Sequence, residues 1–137
     1  MSDRQRIYTG AAGIGEKVSG EVLVAHDNFS ARYDLDRING VFSRPQHKLF
    51  GQSYVGKILV LNIAKGGVAT AWMLREMADR DMAPTALLLN AANPIMAQGA
   101  AFANLPLIDR FEVDITSVLK TGERVAVDPA AATVKVL

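Results

Sequence analysis

The chain has no cysteine. That excludes disulfides, a thiol nucleophile, and any zinc or iron–sulfur site ligated by thiolates of this chain itself. It has two histidines, His26 and His47, too few for a histidine metal site unless carboxylates complete it. Charge of one sign is also missing: Lys plus Arg number 15 against 14 Asp plus Glu. Nothing therefore supplies the basic face that nucleic-acid phosphates call for. Long apolar runs are absent too. The N-terminal MSDRQRIYTG is charged and has no apolar stretch behind it, unlike a secretory leader. Ile58–Ile63 is far too short to cross a bilayer. A cytoplasmic protein that binds neither membrane nor nucleic acid is the expectation.

What is present suits one folded domain spanning 1–137. Half of the 137 residues are hydrophobic and 21% are charged, which excludes a disordered or collagen-like chain. Glu21–Ala25 reads as a short strand. His26 to Gly56 mixes aromatics with Asp, Asn, Pro and Gly; a stretch of that length is expected to hold short strands or to do functional work. Ile58–Ile63 (ILVLNI) is near-continuous and apolar, as in a strand buried on both faces. The spacing over Val68–Met82 predicts a helix with Val68, Trp72 and Met73 on one side, stopped by Pro84. Thr85–Leu89 reads as a second buried strand, Pro94–Ala103 as a helix opened by proline, and Leu105–Ile108 as a third strand. Two β-like runs, ERVAV and ATVKV, close the chain around Asp128-Pro129. The fold class is α/β, with parallel central strands in a β/α sandwich or part-barrel.

Three places can carry chemistry. Ala64-Lys65-Gly66-Gly67 joins a buried strand to a helix; glycines there let backbone approach a ligand, and Lys65 would favour an anion. Without the spaced glycines and terminal Lys-Ser/Thr it is not a P-loop, and a tight turn with an exposed lysine explains it as well. Asn90 and Asn93 follow a strand at the edge where α/β sheets gather ligands, although Asn93 before Pro94 reads first as a helix cap. An imidazole's reference pKa lies near neutrality, so His47 could act as acid or base, yet a lone histidine is more often a packing residue. Ser53 lies in the same irregular segment, with a structural role at the strand start as its plainer reading. Trp72 and the methionines read as core or interface. No nucleophile with an evident base and no metal cluster emerges.

Three segments, taken in order, resemble the small subunit, or swivel domain, of the aconitase X family. His47–Leu61 (HKLFGQSYVGKILVL) is similar to the family's histidine–glycine–x–serine–x–x–glycine–lysine lead into a strand. Ala64–Met82 is similar to its glycine turn and helix, and Ala83–Asp109 to its strand, asparagine–x–x–(Asp/Asn)–Pro–Ile motif and glycine–alanine helix. The closing TGERVAVDPAAATVKV looks like its terminal hairpin.

The resemblance implies a swivelling β/β/α domain that closes over a larger catalytic subunit carrying an iron–sulfur cluster, with no cofactor held by this chain. It implies dehydration of a small, anionic hydroxylated acid, with a hydroxyproline-like substrate favoured, and inactivity of this chain alone. Residues Lys65, Gly66, Gly67, Asn90, Asn93, His47 and Ser53 would face substrate. Many family members carry a serine in the turn where this chain has Gly67. Thr70, one helical turn on, is the stand-in for its catalytic hydroxyl, although a β-branched residue three positions later need not point the same way. The missing serine also leaves open a non-catalytic swivel module that binds a partner and an anionic metabolite.

Overall fold

Two apolar segments, Ile58–Ile63 and Ala86–Ala91, pair in parallel at the centre of the fold, with the first four residues of each buried. Strands apolar on both sides need cover on both sides, and the rest of the chain supplies it. The computed structural model describes residues 6–65 and 68–137, and the side chains of all of these except Ala12, Arg32 and Thr70. In chain order the elements are β1 (Ile7–Thr9), β2 (Ala12–Ile14), β3 (Val18–Val24), α1 (Ala31–Asp34), β4 (Leu35–Asp36), β5 (Val41–Phe42) and β6 (Ile58–Ile63). There follow α2 (Val68–Asp79), β7 (Ala86–Ala91), α3 (Pro94–Phe102), β8 (Leu107–Asp109), α4 (Ile115–Val118), β9 (Arg124–Asp128) and β10 (Thr133–Val136).

The eight main strands form one sheet in the order β1-β10-β9-β3-β6-β7-β8-β2. β3 joins its halves: Val18–Glu21 pair antiparallel with β9, and Val22–Val24 pair parallel with β6. The two edge strands, β1 and β2, are consecutive in the chain and separated only by Gly10-Ala11. Gly10 N–H donates to Ala132 O at 2.7 Å and Ala11 N–H to Asp109 O at 3.0 Å, one on each side of the seam. A sheet whose opposite edges are joined by two residues must curl back on itself, so the part-barrel expectation holds. The seam needs glycine: a Cβ on Gly13 would lie 2.1 Å from Pro129 O.

Alternation then sorts the core. Ile58 and Val60, with Val22, Leu88, Ile108, Val125, Val127 and Val134, fill the inside of the curl, which Ile115 and Leu119 plug from α4 and its end. Leu59, Leu61, Leu87 and Leu89 face outward against Leu74 and Met77 of α2, Met96 and Ala100 of α3, and Phe29, Phe42 and Tyr54 of the 26–56 segment. That segment does contain short strands, β4 and β5, which pair antiparallel. Where α2 crosses α3 the backbones nearly touch, since a Cβ on Gly99 would sit 2.7 Å from Ala71 Cα.

Three expectations need correction. The side of α2 that packs inward is Leu74 and Met77, one turn apart against the sheet, with Met73 partly buried beside them; Val68 and Trp72, of the expected side, are each 62% exposed. The helix also ends before Pro84 acts on it. Asp81 adopts φ 56, and Met82 N–H donates to Met77 O at 2.9 Å, a left-handed cap that closes the helix at Asp79. Finally, β1, β2 and α4 were not expected at all; each is three or four residues long, too short to show a period. Among the described residues no helix is long and apolar enough to cross a membrane.

Candidate functional site

The parallel run β3, β6, β7, β8 brings four chain segments to one edge: Ala25–Phe29, Ala64–Lys65, Asn90–Asn93 and Asp109–Arg110. At the end of β6 the chain is held from both sides, Ala64 N–H donating to Ala91 O at 3.0 Å on the β7 side. Asn62 N–H donates to Asp27 O at 2.8 Å, Phe29 N–H to Ile63 O at 2.9 Å, and Lys65 N–H to Phe29 O at 2.7 Å. Lys65 is exposed, and its ammonium has no partner among the described residues. Gly66 and Gly67 lie outside the described residues, as does the side chain of Thr70, whose backbone belongs to the first turn of α2.

His47 anchors the Asp27–Phe29 segment. Nε2–H donates to Asn28 O at 2.8 Å, while Nδ1 accepts from Leu49 N–H at 3.1 Å, a pairing that suits the neutral ring. The ring stacks on Phe42 with centroids 4.5 Å apart. The Asp27 and Asp34 carboxylates stand 3.8 and 3.9 Å from Nε2, and the His47 side chain is 0% exposed. Asp34 is held in turn by Arg44 Nε–H at 2.6 Å. The expectation that His47 faces substrate is therefore corrected: both ring nitrogens are engaged within the protein, and no ring surface reaches solvent. Ser53, exposed, lies in the connection that enters β6, at the other end of that strand from Lys65; its hydroxyl accepts from Val55 N–H at 3.3 Å.

The two asparagines part company. Asn93 caps α3, its side chain accepting from Met96 N–H at 2.8 Å, as the cap reading anticipated. Asn90 shares the inward parity of Ala86 and Leu88 and points beneath the sheet. Its Nδ2 donates to Asn62 Oδ1 at 2.9 Å and to Asp114 Oδ1 at 2.7 Å, and its Oδ1 accepts from Ile115 N–H at 2.9 Å. Both amide hydrogens are engaged, which ties β6 and β7 to the start of α4 and leaves Asn90 no free donor for a substrate. Asp114 also accepts from the Thr116 and Ser117 hydroxyls at 2.6 and 2.9 Å. The Thr116 hydroxyl first, then the Asn90 amide, hold its carboxyl well below the ordinary value of 3.8 against partial burial. His26 joins the rim of this network, with Nδ1 2.9 Å from Thr116 Oγ1 and its side chain 60% exposed.

Sequence reasoning missed Asp109 and Arg110. They follow β8 at the same carboxyl edge, and the edge rule that singled out Asn90 applies equally to them. Asp109 is buried and accepts from Ala92 N–H at 3.0 Å. Between α2 and α3 lies an apolar groove lined by Val68, Trp72, Ile95 and Phe102. Trp72 and Phe102 meet edge to face at 5.2 Å, and the Arg75 guanidinium lies 4.8 Å from the Phe102 ring centre. As to metals, the chain has no thiolate, and among the described residues no three His, Asp or Glu side chains gather as a site would need. These residues do not fit an iron–sulfur cluster.

Comparison with known proteins agrees with this geometry. A family model described as the aconitase X swivel domain matches residues 7–136. The phosphomevalonate dehydratase small subunit of Methanococcoides burtonii is 32% identical over 127 residues, covering 93% of this chain and 90% of that protein. That of Methanopyrus kandleri is 34% identical over 116 residues, covering 85% and 86%. The crystal structure of aconitase X from Thermococcus kodakaraensis in its holo form superposes with a TM-score of 0.89 at 31% identity, covering 96% of this chain and 98% of that one.

Proposed function

The chain belongs to the aconitase X swivel domain family, and from that premise we propose that it is the small subunit of a heteromeric dehydratase acting on a hydroxylated carboxylic acid. The observation that carries the reading is coextension: this chain and the small subunits it resembles cover each other almost end to end. A swivel domain of that extent has an open ligand edge but no full catalytic set. A larger partner completes it, and since this chain has no thiolates, an iron–sulfur cluster would be ligated by that partner. Dehydration breaks a C–H and a C–O bond, forms C=C and releases water. The part of this chain is to close over the substrate, exclude solvent and hold its charge.

Lys65, Gly66 and Gly67 are the substrate-facing residues, with the lysine ammonium supplying positive charge to an anionic acid. Thr70 or a group of the partner moves the proton. His47, Asn90 and Asn93 shape the backbone behind the edge, while Ser53 lies at the opposite end of β6. The exposed apolar α2–α3 face suits contact with the larger subunit. As to substrate, the relatives described above are named for phosphomevalonate and lend no support to the hydroxyproline-like expectation, so phosphomevalonate enters as the first acid to assay.

The experiment is co-purification from the native cell, followed by assay of the captured complex on phosphomevalonate and hydroxyprolines. Capture of a larger cysteine-bearing subunit and turnover of either acid is the expected result. A captured partner with no turnover favours the non-catalytic swivel module, and recovery of the chain alone overturns both readings. In an active complex, Lys65→Ala should lower kcat/KM about tenfold without changing thermal stability, as expected for an exposed lysine that meets an anion; unchanged kinetics would remove Lys65 from the site.

A further inference from the structure

We propose that Arg110 is a carboxylate hook, oriented by Asp109, in the hollow where β7 and β8 end. The hollow measures about 230 Å³ and is lined by Asp109, Arg110 and Asn93 together with apolar Ile14, Ala97 and Leu107. A site of that size takes a molecule of a few heavy atoms, being smaller than the pockets that hold drug-sized ligands.

Asp109 has 6% of its surface exposed and holds two bonds, from Ala92 N–H to Oδ2 at 3.0 Å and from Arg110 Nε–H to Oδ1 at 3.3 Å. A carboxylate this buried needs a cation, and Arg110 is the one it has. The contact engages Nε only. The two terminal nitrogens of Arg110 have no partner among the described residues, and its side chain is 62% exposed. A planar guanidinium held along one edge presents its other edge for bidentate contact with a carboxylate. The backbone is set for this pose: Arg110 adopts φ 53, in the left-handed region that arginine seldom takes, and its N–H donates to Asn90 O at 3.0 Å.

Ligand class follows from charge and wall. The Asp109 carboxylate repels a second negative charge close by, which disfavours a phosphate dianion and admits a monocarboxylate. Ile14, Ala97 and Leu107 then line the body of a short-chain acid. Identifying that acid as the dehydratase substrate rests on the function proposed above, whereas binding to the hollow does not.

The test uses the full ¹⁵N-labelled chain, titrated with lactate as probe and inorganic phosphate as control while amide shifts are followed. Lactate is expected to move amides of 92–94 and 107–111 saturably, with at least tenfold weaker binding in Arg110→Ala and partial recovery in Arg110→Lys. Arg110→Gln, which keeps the stem and loses the charge, replaces the alanine variant if that does not fold. Lactate shifts that survive loss of the charge, or phosphate binding as tightly as lactate, would overturn the hook. An active complex built on a chain that shows no lactate shifts sinks the hook alone. A complex without turnover, whose chain keeps Arg110-dependent shifts, sinks the dehydratase reading alone.

Discussion

Where the inner face of the sheet reaches the ends of β6 and β7, it meets polar groups that satisfy one another: Asn62, Asn90, Asp114 and the first N–H groups of α4. The outer face of the same strands ends differently. Its apolar layer runs on past the core into Trp72, Val68, Phe102 and Ile95, exposed at between 62% and 39%. One face is closed and the other unfinished. The contrast shows that a polar residue at a strand's carboxyl end is not thereby a ligand-binding residue. Parity decides, because alternate side chains point to opposite faces. Asn90 has the parity of Leu88 and turns inward, whereas Lys65 leaves the strand altogether.

The comparison can be broken most forcefully at His47, which stabilises the backbone behind the open edge. His47→Ala removes a buried stacked ring and leaves Asn28 O and Leu49 N–H without partners. It should cost about 3 kcal/mol by urea denaturation; a loss under about 1 kcal/mol would show that the pocket closes without it. On the closed face, Asp114→Ala removes the α4 cap and one partner of the Asn90 amide, for an expected cost of about 1.5 kcal/mol.

The same variant tests pH dependence. Because the folded carboxyl of Asp114 is depressed below 3.8, its contribution is complete above that pH and lost as pH falls towards the lower folded value. The variant should flatten that part of the acid-side stability curve, and an unchanged slope would mean the carboxylate is no better held folded than unfolded.

A smaller effect of opposite sign belongs to Tyr54. It is fully buried, its hydroxyl has no hydrogen-bond partner among the described residues, and burial pushes its pKa up to about 12. Tyr54→Phe should raise the denaturation midpoint by an amount worth up to about 1 kcal/mol; destabilisation would reveal a partner for the hydroxyl. Least of all, Trp72→Ala should change the stability of the isolated chain by about 0.5 kcal/mol or less, since the ring is mostly in solvent. A cost of about 3 kcal/mol, typical of a core Trp, would close the open face and remove the contrast.

Strong local signals were legible in the chain. ILVLNI and TALLL announce strands covered on both sides because each is apolar over four residues in a row. Pro94 after Asn93 announces a helix start because the cap and the missing N–H belong together there. Lys65, read between a buried strand and a helix, does lie between β6 and α2. On α2 the expectation holds in part: Met73 packs against the core, whereas Val68 and Trp72 stay exposed, because spacing does not say which stripe the sheet will cover.

By itself, the sequence determined the α/β class, the parallel centre, the family resemblance and the absence of thiolate ligands, all of which depend on residues near one another in the chain or on composition. Only the tertiary structure decided that β1 and β2 seal opposite edges of one sheet, that His47 is buried against Asn28, and that Asp109 and Arg110 share a hollow with Ile14. Those contacts join residues from 19 positions apart, as His47 and Asn28 are, to some 90 or more, as Ile14 and Arg110 are. Nothing in the local pattern at either end specifies such a partner; curling the sheet to bury both of its apolar faces brings them together.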